Sequence, residues 1–270
     1  MNKTLDFILF AYCKGYHPLE EAIQQCKTFC LKNQKSENIH LYISAPYAFV
    51  KTLKEKLHSY CVEETTTETQ EKQSPTTTAP RIILGGDELL PVDDKTFTAA
   101  IANKLLIQAG AKFVVIGTPN ERVFSKTKGH SLESKLKATL KSELVPFVCL
   151  TETTQEHEDG LTKQTLTEQL KVLIEKIPPE ELRGLHILYD APWINDGLWK
   201  ITDPLLTNAY QMFKEAVDEV VDPSIRDTLH LVAPVSSTLE LTEDVTTLFQ
   251  SLPYSFAGYS IGSLPMKLSH

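Results

Sequence analysis

The chain has 270 residues, 41% hydrophobic and 23% charged, an ordinary balance for a folded protein with room for one large domain or two small ones. Its net charge of −8 argues against nucleic acid or an anionic membrane surface as a partner. No apolar run is long enough to span a bilayer, and the start MNKTLDFILFAYCKG has no cleavage site after its short apolar stretch, so a cytoplasmic location is expected.

In chain order the apolar pattern alternates between strand and helix. Phe7–Tyr12 reads as a strand, Leu19–Leu31 as a helix, Ile39–Ser44 as a strand closed by Ala45-Pro46, and Phe49–Tyr60 as a helix. Arg81–Leu84 is strand-like, Thr98–Gln108 helical, Phe113–Gly117 a buried strand running into a tight turn, and Leu132–Leu144 helical. Phe147–Leu150, Leu185–Tyr189, Leu229–Val232 and Phe256–Ile261 complete the strands, with helices over Leu166–Ile177, Leu205–Val220 and Asp244–Gln250 between them. Eight strands, each but the last followed by a helix, favour an α/β fold whose parallel sheet closes into a (β/α)8 barrel, over an open doubly wound sheet. Only Pro265–His270 follows the last strand, so the final helix is expected to be truncated or absent, with residues 1–270 forming one domain.

Residues 63–80, EETTTETQEKQSPTTTAP, break the alternation. They are polar and Thr-rich and cannot bury enough apolar surface to offset the entropy of ordering them, so they read as a flexible insert between the second helix and the third strand. The five cysteines (Cys13, Cys26, Cys30, Cys61, Cys149) are odd in number and scattered, which points to reduced thiols. Cys26 and Cys30 lie one helical turn apart, but no neighbouring His or Cys pair completes a ligand set, so no metal and no other cofactor is expected.

Several stretches carry a family likeness. Val145–Gly160, VPFVCLTETTQEHEDG, resembles the Pro-(Ile/Val)-(Val/Leu)-Cys-Ile-Gly-Glu-Thr-Leu-Glu-Glu-Arg-Glu-Ala-Gly of the triosephosphate isomerase family in unbroken register, keeping Pro146, Cys149, Glu152, Thr153, Glu156, Glu158 and Gly160. Leu185–Trp193, LHILYDAPW, is similar to the family's Ala-Tyr-Glu-Pro-Val-Trp, and Phe113–Arg122, FVVIGTPNER, to its Val-Leu-Gly-His-Ser-Glu-Arg-Arg. Ala45-Pro46 and Phe97-Thr98 also find counterparts there. The resemblance covers essentially the whole chain and implies a TIM barrel.

In that family a Glu base and a neutral His electrophile act while a mobile loop closes over the site. An Asn and a Lys after the first strand complete the set, and glycine-rich backbone after strands seven and eight binds the phosphate. Aligned residue by residue, the Asn place falls on Ala11 and the Lys place on Cys13. Lys14 regains the charge only through a one-residue slip, and otherwise reads as a solvated turn residue. The His place holds Thr118, which can donate a hydrogen bond but cannot shuttle a proton as imidazole does. His130, in a later Gly-His-Ser, lies just before a helix whose N-cap reads as Ser131.

The base place carries Asp190, a carboxylate with a shorter reach, and a misplacement near 1 Å can cost roughly a hundredfold in rate. Trp193 keeps the lid hinge, whereas Asp196 puts negative charge where the lid would meet a phosphate. In the loop after strand seven Pro234 replaces a glycine and has no N–H. Ser236 and Ser237, with Gly262 and Ser263 after strand eight, are what remains of the ligand-binding loops.

Together these departures imply a barrel without isomerase activity, acting as a binding, regulatory or structural protein whose small-molecule or protein ligand is not legible. One alternative is an enzyme retuned to another small substrate, with Asp190 as base and Cys13 facing it across the barrel mouth. Cys13 reads there either as a reactive thiol or as a small apolar filler. The other alternative is a weakly active triose-phosphate isomerase. The resemblance also implies a homodimer formed through a long third loop, to which Gly85–Phe97 corresponds.

Overall fold

The strands are short apolar runs buried on both faces, the pattern that a parallel sheet covered by helices requires. In the computed structural model, described over residues 7–13, 18–33, 39–60, 81–87, 89, 103–119, 132–195, 204–235 and 256–263, eight such strands pair in sequence order into a closed barrel. They are β1 (Phe7–Tyr12), β2 (Ile39–Ala45), β3 (Ile82–Gly86), β4 (Phe113–Ile116), β5 (Val145–Thr151), β6 (His186–Asp190), β7 (His230–Pro234) and β8 (Gly258–Ser263). Closure comes from β1, which pairs in parallel with β2 on one side and β8 on the other.

Strand alternation sorts the side chains into two layers. Ile8, Phe10 and Tyr12 of β1 pack with Phe113, Val115, Phe147, Cys149, Leu188 and Val232, all strand residues, and fill the barrel interior. Leu9, Ala11 and Cys13 belong instead to the layer shared with the helices. The interior is largely aromatic: Phe147 stacks on Phe10 at 5.8 Å and on His186 at 4.4 Å, and His186 stacks on His230 at 4.6 Å. Gly85 makes room for this packing, since a Cβ there would lie 2.5 Å from the Phe113 ring.

The helices bury one stripe each. α1 (Leu19–Lys32) turns Ala22, Ile23, Cys26, Phe29 and Cys30 inward, a 3.6-residue spacing that places both cysteines in the core. α2 (Tyr47–Leu57) follows β2, α3 (Asn103–Ala109) precedes β4 and α4 (Leu132–Leu140) precedes β5. After β5 come α5 (Thr154–Glu158), α6 (Thr162–Ile174) and α7 (Pro179–Leu182), and after β6 come α8 (Pro192–Asn195), α9 (Pro204–Val220) and α10 (Pro223–Arg226). α9 buries Leu206, Ala209, Tyr210, Phe213, Ala216 and Val217, each large side chain contributing about 1.5–3 kcal/mol on leaving water.

The strand and helix order expected from sequence stands, with shifted ends. The helix expected over Leu132–Leu144 stops at Leu140, and that expected over Leu166–Ile177 starts at Thr162. Gly262 and Ser263 are the last residues of β8 rather than a loop beyond it, because β8 carries a register irregularity against β1 between Phe10 and Tyr12. The Thr-rich insert at 63–80, the helix expected over Asp244–Gln250 and the segment after Ser263 lie outside the described residues. Among the described residues no helix is long and apolar enough to cross a membrane.

Candidate functional site

The carboxyl ends of β1, β3, β4, β6 and β7 gather Tyr12, Asp87, Thr118, Asp190 and Pro234 at one mouth of the barrel. Asp190 closes β6 on the same face as His186 and Leu188, which point inward, while Tyr189, between Leu188 and Asp190, packs in the helix layer. Asp190 therefore lies at the barrel mouth.

β1 corrects the expected assignment. The residue it presents to the mouth is Tyr12, only 9% exposed, and not Ala11 or Cys13, which are 0% and 1% exposed in the helix layer. Cys13 therefore does not face Asp190 across the mouth. Its thiol is pushed up to about 11 by burial and then by the nearby Asp87, so it remains protonated and is a core filler. Tyr12 donates to Cys149 Sγ at 4.0 Å. Burial first, then Cys149, Asp190 and Asp87, push its phenol well above the ordinary tyrosine range, leaving a neutral hydrogen-bond donor at the mouth. The inner set Ile8, Phe10, Tyr12 has even numbers, so the next position of that spacing is 14; Lys14 lies outside the described residues.

Gly117 turns the chain after β4 with φ +83°, and a Cβ there would meet the Cys149 carbonyl at 2.7 Å, so the turn needs glycine. Thr118 follows it, half-buried, with a single hydroxyl as its polar group. Glu121, Arg122 and His130 lie outside the described residues.

At the end of β7 the backbone is already committed. Pro234 has no N–H, its carbonyl accepts from Tyr210 Oη at 2.7 Å, and the Val235 N–H donates to the Ser260 carbonyl at 2.7 Å. Neither residue has an N–H left to offer an anion. Ser236 and Ser237 lie outside the described residues, and of Gly262 and Ser263 the backbone alone is described, in β8.

A second cluster stands directly behind Asp190, and sequence reasoning missed its role. Glu152, 1% exposed just after β5, accepts from Tyr189 Oη, from Trp193 Nε1 at 2.8 Å and from Thr162 Oγ1. These three donors satisfy a buried carboxylate and tie β5, β6, α6 and α8 together. Burial first, and Glu152 second, push the Tyr189 phenol well above its ordinary range, so it stays a donor. Beside Glu152, Thr153 caps α5 in a reciprocal capping box with Glu156. The signal was present in the motif that retains Glu152, Tyr189 and Trp193, all able to pair once they share a layer.

Residues 7–196 match the family model described as triosephosphate isomerase. The chain is 34% identical over 132 residues to the triosephosphate isomerase of Chlamydia muridarum (strain MoPn / Nigg), a stretch covering 49% of this chain and 48% of that protein. It is 30% identical over 113 residues to that of Protochlamydia amoebophila (strain UWE25), covering 42% and 43%. With that of Alkaliphilus metalliredigens (strain QYMF) it shares 23% over 171 residues, covering 62% and 69%. The chain thus spans about half the length of the first relative, somewhat less of the second and about two thirds of the third.

Proposed function

The chain belongs to the triosephosphate isomerase family, its residues 7–196 matching across most of the barrel, and on that premise we propose that it is a member that does not catalyse the family's isomerisation. It serves instead as a binding, regulatory or structural protein. The observation that carries this reading is the inner face of β1. The family's Asn and Lys stand two residues apart and so share a face; here Tyr12 holds the first of these places, and Lys14, outside the described residues, is next in that spacing. A neutral aromatic ring fills the space where the family keeps a small amide.

The remaining departures act in the same direction. Thr118 cannot replace an imidazole in proton transfer. Among the described residues at the end of β7, neither Pro234 nor Val235 has a backbone N–H to give a phosphate. Catalytic groups of this kind work as a unit, so changes at several strand ends compound. Calorimetric titration with a non-reacting triose-phosphate analogue tests the reading: no saturable binding is expected at millimolar analogue, and micromolar binding would contradict it.

A second reading rests on Asp190, an inward carboxylate beside a neutral phenol donor, a pair able to serve as base and acid on another small substrate. Cys13 has no part in it. In either case we place the protein in the cytoplasm as a homodimer, as the family resemblance implies.

A further inference from the structure

Ser44 of β2 carries an orphaned hydroxyl: the residue is 0% exposed, and its Oγ finds no hydrogen-bond partner among the described residues. Ile39, Leu41 and Ile43 belong to the helix layer, so Tyr42 and Ser44 turn to the barrel interior, where Tyr42 packs on Phe113 and Phe147. Ser44 pairs in register with Tyr12 on one side and with Gly85 on the other. Its hydroxyl therefore stands beside the Tyr12 phenol, at the carboxyl end of the barrel. Burying a hydroxyl unpaired disfavours folding, so packing alone would favour an apolar side chain here.

Three further groups reach the same mouth. The Tyr12 hydroxyl donates to Cys149 Sγ at 4.0 Å, a long contact to a weak acceptor. Gly85 faces the interior, since a Cβ there would touch the Phe113 ring, and Asp87 follows it by two residues in the same alternation. Asp190 follows Leu188 inward on β6. After burial and Cys149, both carboxylates help to hold the Tyr12 phenol above its ordinary range, which places them near it. Carboxylates accept, the phenol donates, and the Ser44 hydroxyl can do either. A phosphate would face two carboxylates. An ammonium group would suit the carboxylates but cannot accept the Tyr12 proton, whereas a hydroxyl both donates and accepts.

From this arrangement we propose that the barrel mouth binds a small neutral polyol, with Ser44 and Tyr12 holding one of its hydroxyls and Asp87 and Asp190 accepting from others. The proposal rests on the reading above that the mouth has lost the family's anion, and it holds whether the polyol is only bound or also turned over.

Xylitol is the probe, titrated into the purified protein and followed by amide chemical shifts, with inorganic phosphate and putrescine titrated alongside. Saturable xylitol binding in the millimolar range is expected, with neither control binding. Ser44→Ala breaks no hydrogen bond within the described residues, so its thermal midpoint should equal or exceed the parent's. Its affinity for xylitol is nonetheless expected to fall about five- to tenfold, the effect of losing one hydrogen bond, and Tyr12→Phe should weaken binding likewise. Absence of saturable xylitol binding, tighter binding of putrescine, or full xylitol affinity in Ser44→Ala overturns the proposal. Saturable phosphate binding overturns it together with the reading on which it rests, so the two failures are told apart.

Discussion

Single buried polar groups carry much of what distinguishes this chain. Replacing Glu152 by Leu would leave the buried donors of Tyr189, Thr162 and Trp193 without an acceptor, and is expected to cost about 3 kcal/mol or more in urea unfolding. Tyr189→Phe removes one donor to a charged acceptor and should cost less, about 1.5–3 kcal/mol. His186 supplies the pH dependence. Burial, and then His230 stacked against it, lower its folded value to about 3 from 6.5. The unfolded chain therefore takes up this proton near pH 6.5 while the folded chain resists it, so its contribution is intact above that pH and lost progressively as pH falls toward 3. Thermal unfolding between pH 7 and 4 should show a steeper loss in the parent than in His186→Phe, and parallel curves would contradict this. None of these roles was readable residue by residue, because a lone Glu or His in a sequence does not say which layer it enters.

The elements divide into those the sequence resolves and those it leaves open. Long amphipathic helices such as α1 and α9, and the strand order, were legible because apolar spacing over ten or more residues has one interpretation. α5, α7, α8 and α10 have four or five residues each, too few for a period, and were missed. The inner face of β1 was misassigned for a different reason: FILFAY is apolar on both faces, so its letters contain no alternation from which to choose. Family alignment then put Ala11 and Cys13 at the mouth, where packing puts Tyr12. The turn after β4 was the clearest local signal. Gly117→Ala is expected to cost at least about 1 kcal/mol, since the new Cβ meets both a positive φ and the Cys149 carbonyl. Thr153→Ala, which removes the α5 cap, should cost about 1 kcal/mol, read from the urea midpoint.

For the molecule as a whole, the closed strand order and the aromatic interior bring Asp190, Tyr12, Thr118 and Pro234 to one mouth of the barrel. On the reading proposed above, Asp190 stands in the base's place and the other three where the family's chemistry needs other groups. A homodimer is expected at micromolar concentration, and a monomer in sedimentation velocity would refute it. The central claim is tested most directly by assaying the purified protein for interconversion of the two triose phosphates, beside Asp190→Asn as control. No turnover above the uncatalysed background, equal in both proteins, is the predicted result; turnover that survives purification and is lost in Asp190→Asn would contradict it.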